Sequence, residues 1–445
     1  MGIMEKIEVL EISNFGGIKA EILEFSRVNI FIGPQASGKS IVAKLLYYFK
    51  NIIRSILLDV EEKSSKPNIR SSHIERFLKY FPANNWPDGH FYIKYSVGDI
   101  NLIVERRYDH SESINIDYSD TYDELIRFCR ALLRKNKPAI TDNDAAEPSD
   151  WRFTRRYNDV SLTLMDKIAT VTHEIIANRN VFIPAGRSFF STLRSSVFRF
   201  ISGNIGIDPF LAEFGSAYEN ARDDYFGNGQ KRLNPFIMQK FNSIISGKYI
   251  KENDDFFIRC NDGRRVRVEN SSSGQQEIIP LGLTIFRLLR QVVINTKVIP
   301  GKNPELQREW RTLSTTLFVE EPEAHLYPTA QRDIVQLLAY VIDFQPRRSQ
   351  LIMTTHSPYV LTVINNLIIA NKIISIHPER RDEVLSITKD ALGLDGDRVQ
   401  AYYFDTNGIK SIIDSETVMI NADIMDSVSG ELLDEYRSLM DIYFR

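Results

Sequence analysis

Residues 28–40 read Val28-Asn-Ile-Phe-Ile-Gly33-Pro34-Gln35-Ala36-Ser37-Gly38-Lys39-Ser40, an apolar run that passes into a glycine-bounded turn. Gly33-x-x-x-x-Gly38-Lys39-Ser40 has the spacing of a phosphate-binding loop. The chemistry demands these residue types. The glycines let backbone N–H groups turn inward around an anion, Lys39 brings a positive charge to the β- and γ-phosphates, and Ser40 offers a hydroxyl to Mg2+. The helix that follows aims the positive end of its dipole at the same anion. A strand before and a helix after are the context the pattern requires, so ATP and Mg2+ are the expected ligands. Gly33, Pro34, Gln35, Ala36, Ser37, Gly38, Lys39 and Ser40 are the expected contacts.

Three further segments carry chemistry. Thr316-Leu-Phe-Val-Glu320-Glu321-Pro322-Glu323 is an apolar run ending in carboxylates. A buried strand delivers such groups beside a bound metal, so Glu320 is assigned to Mg2+ and its water shell and Glu321 to the general base for the attacking water. A solvated acidic loop is the plainer reading of the same residues taken alone. Leu351-Ile-Met-Thr-Thr-His356-Ser357-Pro358 places a histidine at the end of another buried strand. Strand ends line the nucleotide crevice in open α/β sheets, which puts His356 near the γ-phosphate or the attacking water. His325 reads as a support for the acidic loop. Asn270-Ser-Ser-Ser-Gly274-Gln275-Gln276-Glu277 precedes an apolar helix, Ile278 to about Val293. Serine and glycine there cap a helix, and the same groups make an anion nest.

Along the rest of the chain, residues 5–32 alternate in short apolar runs punctuated by Gly16-Gly17 and read as strands with a hairpin-like opening. Ser40 to about Leu58 has helical spacing. Residues 61–90 are polar and read as a loop with one short helix near Ile74–Tyr80. Strand patterning returns over 91–118, and 121–180 is helical, broken at Pro138 and over Thr141–Ser149. A strand starts at Val181, strands return from about 253, and helices alternate with strands from 278. The expected division is 1–118, the first part of an ATPase head with the phosphate loop; 119–250, a mainly helical insertion; and 251–445, the rest of the head. No repeat and no sustained heptad is present.

Composition narrows the class. The chain has 445 residues, 43% hydrophobic and 25% charged, room for two or three units at about 150 residues each. Its two cysteines, Cys129 and Cys260, make no disulfide framework and no zinc pattern, which points to a reducing, cytoplasmic setting. A net charge of −3 excludes a global basic field. Arg264-Arg-x-Arg267 and Arg347-Arg348 are local basic clusters that leave DNA contact open, a solvated surface being the ordinary reading. The N-terminal apolar part is too short for a signal peptide, and Lys6 breaks the myristoylation pattern. The longest apolar stretch, Val360–Ile376, is interrupted by Asn365, Asn366, Asn371 and Lys372, so no membrane span is expected.

Phosphate loop, serine-rich turn, acidic strand and histidine, in this order, resemble the ABC-type ATPases of the structural-maintenance and RecF-like group. Ser271-Ser-Ser-Gly-Gln275 sits where that group has Leu-Ser-Gly-Gly-Gln. The resemblance implies an α/β fold: an ABC-type ATPase head with a P-loop sheet, an antiparallel β lobe and a mainly helical insertion. It implies that Ser272, Gly274 and Gln275 contact ATP bound to a second protomer, and hence a homo-oligomer, at least a dimer, with nucleotides between the heads. Glu320-Glu-Pro-Glu-Ala-His-Leu-Tyr-Pro328 is similar to the overcoming-lysogenization-defect group and its AAA_15/AAA_21-type relatives, where the usual aspartate of the acidic strand is Glu320. Ile183-Pro-Ala-Gly-Arg187 resembles a segment of those relatives and suggests Arg187 near the nucleotide or the interface, a structural arginine being the equal reading. The glutamine loop of ABC proteins has no assignment.

Some relatives carry a C-terminal Toprim nuclease. Asp395-Gly-Asp397 is the nearby candidate here and reads as a turn, so any nuclease or toxin effector would be a separate polypeptide, as in the phage anti-restriction induced and Septu-type systems. The function implied is an ATPase that senses or scaffolds in bacterial anti-phage defence. The alternatives are a RecF-like DNA-repair or DNA-clamping ATPase and a nucleotide-binding scaffold with negligible turnover.

Overall fold

A computed structural model describes residues 8–421 apart from 63–64, 87–88, 108–113, 136–148, 193–206, 230–233, 291, 300–304, 347 and 392, together with residues 434, 435, 437, 439 and 440. Pro138, residues 141–148 of the expected loop and Arg347 lie outside the described residues.

The first strands, β1 (Glu8–Phe15) and β2 (Ile18–Glu24), pair antiparallel around Gly16 and Gly17, both at positive φ. The third, β3 (Val28–Ile32), leaves them for another sheet. Helix α1 (Lys39–Arg54) follows the phosphate loop, and α2 (Ile56–Glu62) continues it after a break at Ser55. Residues 61–90, expected as loop with a helix at 74–80, instead carry α3 (Lys66–Tyr80). Ser65 caps it through the Asn68 N–H and Pro67 sits in its first turn. Only Ile69, His73, Phe77 and Tyr80 face inward, a narrow stripe that polar composition hides.

Strands β4 (Phe91–Val97), β5 (Ile100–Arg106) and β6 (Asn115–Tyr118) complete a five-stranded antiparallel lobe of order β2-β1-β4-β5-β6. β4 and β5 alternate buried and partly exposed residues, as one-sided strands do.

Between 119 and 250 come α4 (Asp120–Lys135), α5 (Ser149–Val171), β7 (Arg179–Ile183), α6 (Ser188–Thr192), α7 (Pro209–Asp224) and α8 (Pro235–Ile244). α7 and α8 start at prolines behind Asp208 and Asn234, whose side chains accept first-turn N–H groups. β7 is the edge strand of the central sheet, so this region contributes to the sheet as well as covering it.

A small antiparallel sheet, β8 (Gly247–Glu252), β9 (Asp255–Cys260) and β10 (Arg265–Arg267), leads into α9 (Ser273–Arg290). The helix expected from Ile278 to about Val293 thus begins at Ser273 and stops at Arg290, where a hairpin of β11 (Val292–Ile299) and β12 (Glu305–Thr312) takes over. Last come β13 (Thr315–Glu320), α10 (Pro328–Phe344), β14 (Gln350–Thr355), α11 (Pro358–Ile376), α12 (Arg381–Thr388), β15 (Val399–Asp405) and β16 (Gly408–Ser411).

The central sheet has order β16-β15-β3-β14-β13-β7, parallel throughout except for β16. β3, β13 and β14 are buried along their whole length, which is why apolar runs form their centres, Ile30–Ile32, Leu317–Val319 and Leu351–Met353. Alternate residues feed opposite cores. Val28, Ile30, Ile32, Leu317, Val319, Leu351 and Met353 face α9, α10 and α11. Phe31, Phe318 and Ile352 face α1 and the lobe. By length and composition α11 alone among the described helices could cross a membrane, yet Val360, Leu361, Ile364, Leu367 and Ile368 are buried in the core on the sheet. The fold is therefore α/β, a P-loop sheet with an antiparallel lobe.

Candidate nucleotide site

Parallel pairing decides which residues meet. Ile32 lies beside Thr355 and Tyr403, Thr354 beside Glu320, and Val319 beside Ile183. The segments leaving β3, β13, β14 and β7 therefore emerge at one edge of one sheet. That edge collects the phosphate loop, Glu320–Glu323, His356 and the Pro184–Arg187 turn.

In the loop, Gly38 is the N-cap of α1 at φ 98°, and Gly33 has φ 150°. A Cβ on Gly33 would lie 2.1 Å from the Phe404 carbonyl oxygen, so the loop passes β15 too closely for any side chain. The Lys39 ammonium is buried and donates to the carbonyls of Gly33 (2.9 Å) and Pro34 (2.6 Å) and to the Ser37 hydroxyl (3.2 Å). Burial pulls its pKa below the ordinary lysine value, opposed by the charges of Glu321 and Glu323. Pro34, Gln35, Ala36 and Ser40 are exposed, so the outer face of the loop is open.

The carboxylates divide by environment. Glu320 is buried; its Oε2 accepts the Ala185 N–H at 3.2 Å, and its Oε1 has no hydrogen-bond partner. An orphaned carboxylate oxygen at a strand end suits a divalent cation or its water shell. Ser40 supplies the other hard oxygen. Among the described residues no group of three or more His, Cys, Asp or Glu is placed to hold a metal, so a Mg2+ here would take further ligands from phosphate and water.

Glu321 is more open. Its φ is 43°, an uncommon backbone region for a glutamate, and its N–H donates to the Thr354 carbonyl at 3.0 Å. Its Oε1 lies 3.3 Å from His356 Nε2, with side chains 39% and 30% exposed respectively. A carboxylate and an imidazole in contact at a water-accessible edge can orient and deprotonate a water.

Two residues outside the expected catalytic set hold this pair. Glu323 is buried, and its Oε1 accepts the Thr355 hydroxyl (2.6 Å) and the His356 N–H (2.8 Å). The spacing Glu-Glu-Pro-Glu was its signal. Arg187, expected near the nucleotide or the interface or else as a structural arginine, is fully buried behind the end of the acidic strand. Its guanidinium donates to the carbonyls of Pro184 (3.1 Å), Glu320 (2.8 Å), Glu321 (2.9 Å) and Glu277 (3.2 Å).

The serine-rich turn forms a capping box on α9. The Gln275 N–H donates to the Ser272 hydroxyl (3.3 Å), and Gln275 Oε1 accepts the Ser272 N–H (3.1 Å). The Gln275 amide also donates to the Ile245 carbonyl at 2.7 Å, which leaves the Ser272 and Ser273 hydroxyls on the exposed face. Gly274 packs on the loop after β13, where a Cβ would lie 2.7 Å from the His325 carbonyl oxygen. Among the described residues no hydrogen bond or ion pair joins Ser272–Gln275 to Gly33–Ser40.

The basic clusters are locally balanced. Arg264 pairs with Asp262 (2.7 Å), Arg267 with Asp255 (2.6 Å) and Arg265 with Glu252, while Arg348 lies 3.8 Å from Glu174. Asp395-Gly-Asp397 is a turn in which the Asp395 carboxylate accepts the Asp397 N–H.

Several solved structures are similar to this chain. An SMC head bound to the C-winged helix domain of ScpA matches with TM-score 0.38 and 14% identity, over 91% of this chain and 96% of that one. The SMC head domain from Thermotoga maritima matches with TM-score 0.34 and 12% identity, over 91% and 97%. The recombination mediator RecF with ATP, of the RecFOR pathway, matches with TM-score 0.30 and 14% identity, over 91% and 98%. No curated protein matches the sequence. The family described as "AAA domain, putative AbiEii toxin, Type IV TA system" matches residues 28–362, well over half of the chain, and the chain belongs to that AAA_21 family.

Proposed function

We propose that this chain is an ABC-type ATPase that binds ATP and Mg2+ at Gly33–Ser40 and hydrolyses the nucleotide between two copies of itself. The observation that carries the proposal is the meeting at one sheet edge of a buried Lys39, an orphaned Glu320 oxygen and a contacting Glu321–His356 pair. Lys39 exchanges its loop carbonyls for phosphate oxygens, which are stronger acceptors because they are charged. Ser40 and Glu320 are the groups that would hold Mg2+, which supplies charge neutralisation at the β- and γ-phosphates. Glu321 takes the proton of the attacking water, and His356 orients that water and the γ-phosphate. Ser272, Gly274 and Gln275 serve the nucleotide of a second copy; the exposure of Ser272 at the start of α9 supports this.

In the cell the chain acts as a sensor or scaffold in bacterial anti-phage defence and controls a separate nuclease or toxin. The family's description, which names a toxin of a type IV system, supports this setting. The division into head segments 1–118 and 251–445 around 119–250, and a cytoplasmic location, belong to the same proposal.

Phosphate release by wild type and Glu321→Gln, with size measured with and without ATP, tests the enzyme. Release by wild type alone and an ATP-dependent dimer in Glu321→Gln are expected. No release by wild type above background, with or without DNA, removes the ATPase reading. Protection from phage that needs both this chain and a separate effector, and is lost in Lys39→Ala, is expected; protection by this chain alone overturns control of a partner.

A further inference from the structure

Arg187 is one of the largest fully buried side chains, and its contacts reach two separate segments. On one side it donates to the backbone carbonyls of Glu320 and Glu321. On the other, its Nε donates to the Glu277 carbonyl and lies 3.3 Å from Glu277 Oε2, in the first turns of α9. Glu277 is itself 1% exposed, and its Oε1 accepts the Ser188 N–H at 3.2 Å. The helix interior holds Pro280, which cannot donate to the carbonyl of Gln276. That carbonyl accepts the Ser191 hydroxyl at 2.6 Å instead. Arg187, Ser188 and Ser191 thus each bond to the helix that begins at the Ser272–Gln275 cap, while the arginine also holds the backbone of the glutamate at φ 43°.

We infer that Arg187 is a positioning residue that couples the Ser272–Gln275 turn to Glu321, so that nucleotide held against α9 by one copy sets the carboxylate acting on the nucleotide of the other. The inference rests on the composite dimer proposed above. The path is short and physical. A shift of α9 along its axis moves Glu277, Glu277 moves the guanidinium through an ion pair in a dry interior, and the guanidinium moves two carbonyls next to the catalytic carboxylate. Gly274 against His325 gives the same helix a second contact on the same loop. The consequence is positive cooperativity between the two nucleotides, with a coupling set by these bonds.

Glu277→Gln is the decisive variant. It is isosteric, its amide oxygen keeps the Ser188 N–H satisfied, and it replaces the charged Oε2 facing Arg187 with an amide NH2 that cannot accept from the guanidinium. Arg187→Lys is the companion, keeping charge but losing the fork of donors. For each, kcat, the Hill coefficient for ATP and the affinity for a fluorescent ATP analogue are measured beside wild type. The expected result is kcat lower by on the order of tenfold, a Hill coefficient reduced to about one, and analogue affinity within about twofold of wild type. A merely structural role would lower affinity, melting temperature and kcat together and leave the Hill coefficient alone. If Glu277→Gln keeps the wild-type Hill coefficient, the coupling is overturned even where Arg187→Lys fails to fold. Wild type that turns over ATP without cooperativity also overturns it, while the ATPase reading stands. Wild type without turnover overturns both.

Discussion

Oε1 of Glu323 accepts the backbone N–H of His356 at 2.8 Å while also accepting the hydroxyl of Thr355. One buried carboxylate oxygen therefore ties the loop after β13 to the residue that faces Glu321. Glu323→Ala leaves two buried donors unsatisfied, at about 1–3 kcal/mol each. It should lower stability and reduce kcat by about tenfold or more, with ATP-analogue binding little changed. Glu323→Gln, which keeps the acceptor, should recover most of both. Equal kcat for the alanine and glutamine variants would show that His356 is held by something else.

Lys39 and Glu321 should separate binding from chemistry. Losing a charged phosphate contact of about 1.5–3 kcal/mol corresponds to about 10- to 100-fold weaker binding, which is the expected effect of Lys39→Ala in an analogue titration. Glu321→Gln should bind normally and lose about 10²- to 10⁴-fold in turnover. Normal turnover by Glu321→Gln would move the base elsewhere.

A second buried charge sits far from the chemistry. Lys50 Nζ on α1 lies 2.6 Å from Glu8 Oε1 on the lobe, and both are essentially sealed. Tyr95 donates to the same oxygen at 2.7 Å, and Gln350 on the central sheet donates to Glu8 Oε2 at 2.6 Å. Lys50→Met strands the carboxylate and should cost about 3–5 kcal/mol in denaturant unfolding. Lys50→Met with Glu8→Leu should cost clearly less. A double variant as unstable as the single would mean that packing, not charge, dominates there.

Acid should act through Asp59. Burial raises its carboxyl, but the hydrogen bond and charge of His73, with Ser55 and Arg76, outweigh this and hold it below the ordinary 3.8. A carboxyl with a lowered folded-state pKa contributes stability above the unfolded value and loses it as pH falls through the folded value. The melting-temperature gap between wild type and Asp59→Asn should be constant at neutral pH and shrink below about pH 3.8. A gap unchanged across the acid range would remove Asp59 from the acid response.

The Cys129 thiol is buried on α4 and pushed up to about 12, with burial as the main cause. Thiolate is the reactive form. Iodoacetamide should therefore label Cys260 in the native protein and reach Cys129 only on unfolding; fast native labelling of Cys129 would contradict its place in the core.

The strands that carry the site were legible because parallel central strands are buried on both faces and carry apolar runs such as Ile30–Ile32, Leu317–Val319 and Leu351–Met353, and the polar and glycine residues that follow break that pattern abruptly. Helix α3 was less legible, since its inward face is four residues wide in a polar segment. The hairpin after α9 follows directly on an apolar helix, and periodicity alone placed no boundary there. Arg187 and Glu277 could be named as residues but not joined, because their ion pair depends on how α9 packs against α6, which starts right after Arg187. Glu323 was visible in the same run as Glu320 and Glu321, but only the fold shows that its oxygen meets the backbone of His356.

β3 is bracketed by β14 on one side and β15 on the other, both supplied by the far end of the chain. During synthesis the phosphate loop therefore leaves the ribosome long before either neighbour exists. It can acquire its flanks, and the Phe404 carbonyl that Gly33 leans on, only after nearly the whole chain has emerged. Such distant pairing makes folding slow and exposes a bare apolar strand in the meantime. A product truncated before β14 would lack both strands that flank the phosphate loop's own strand.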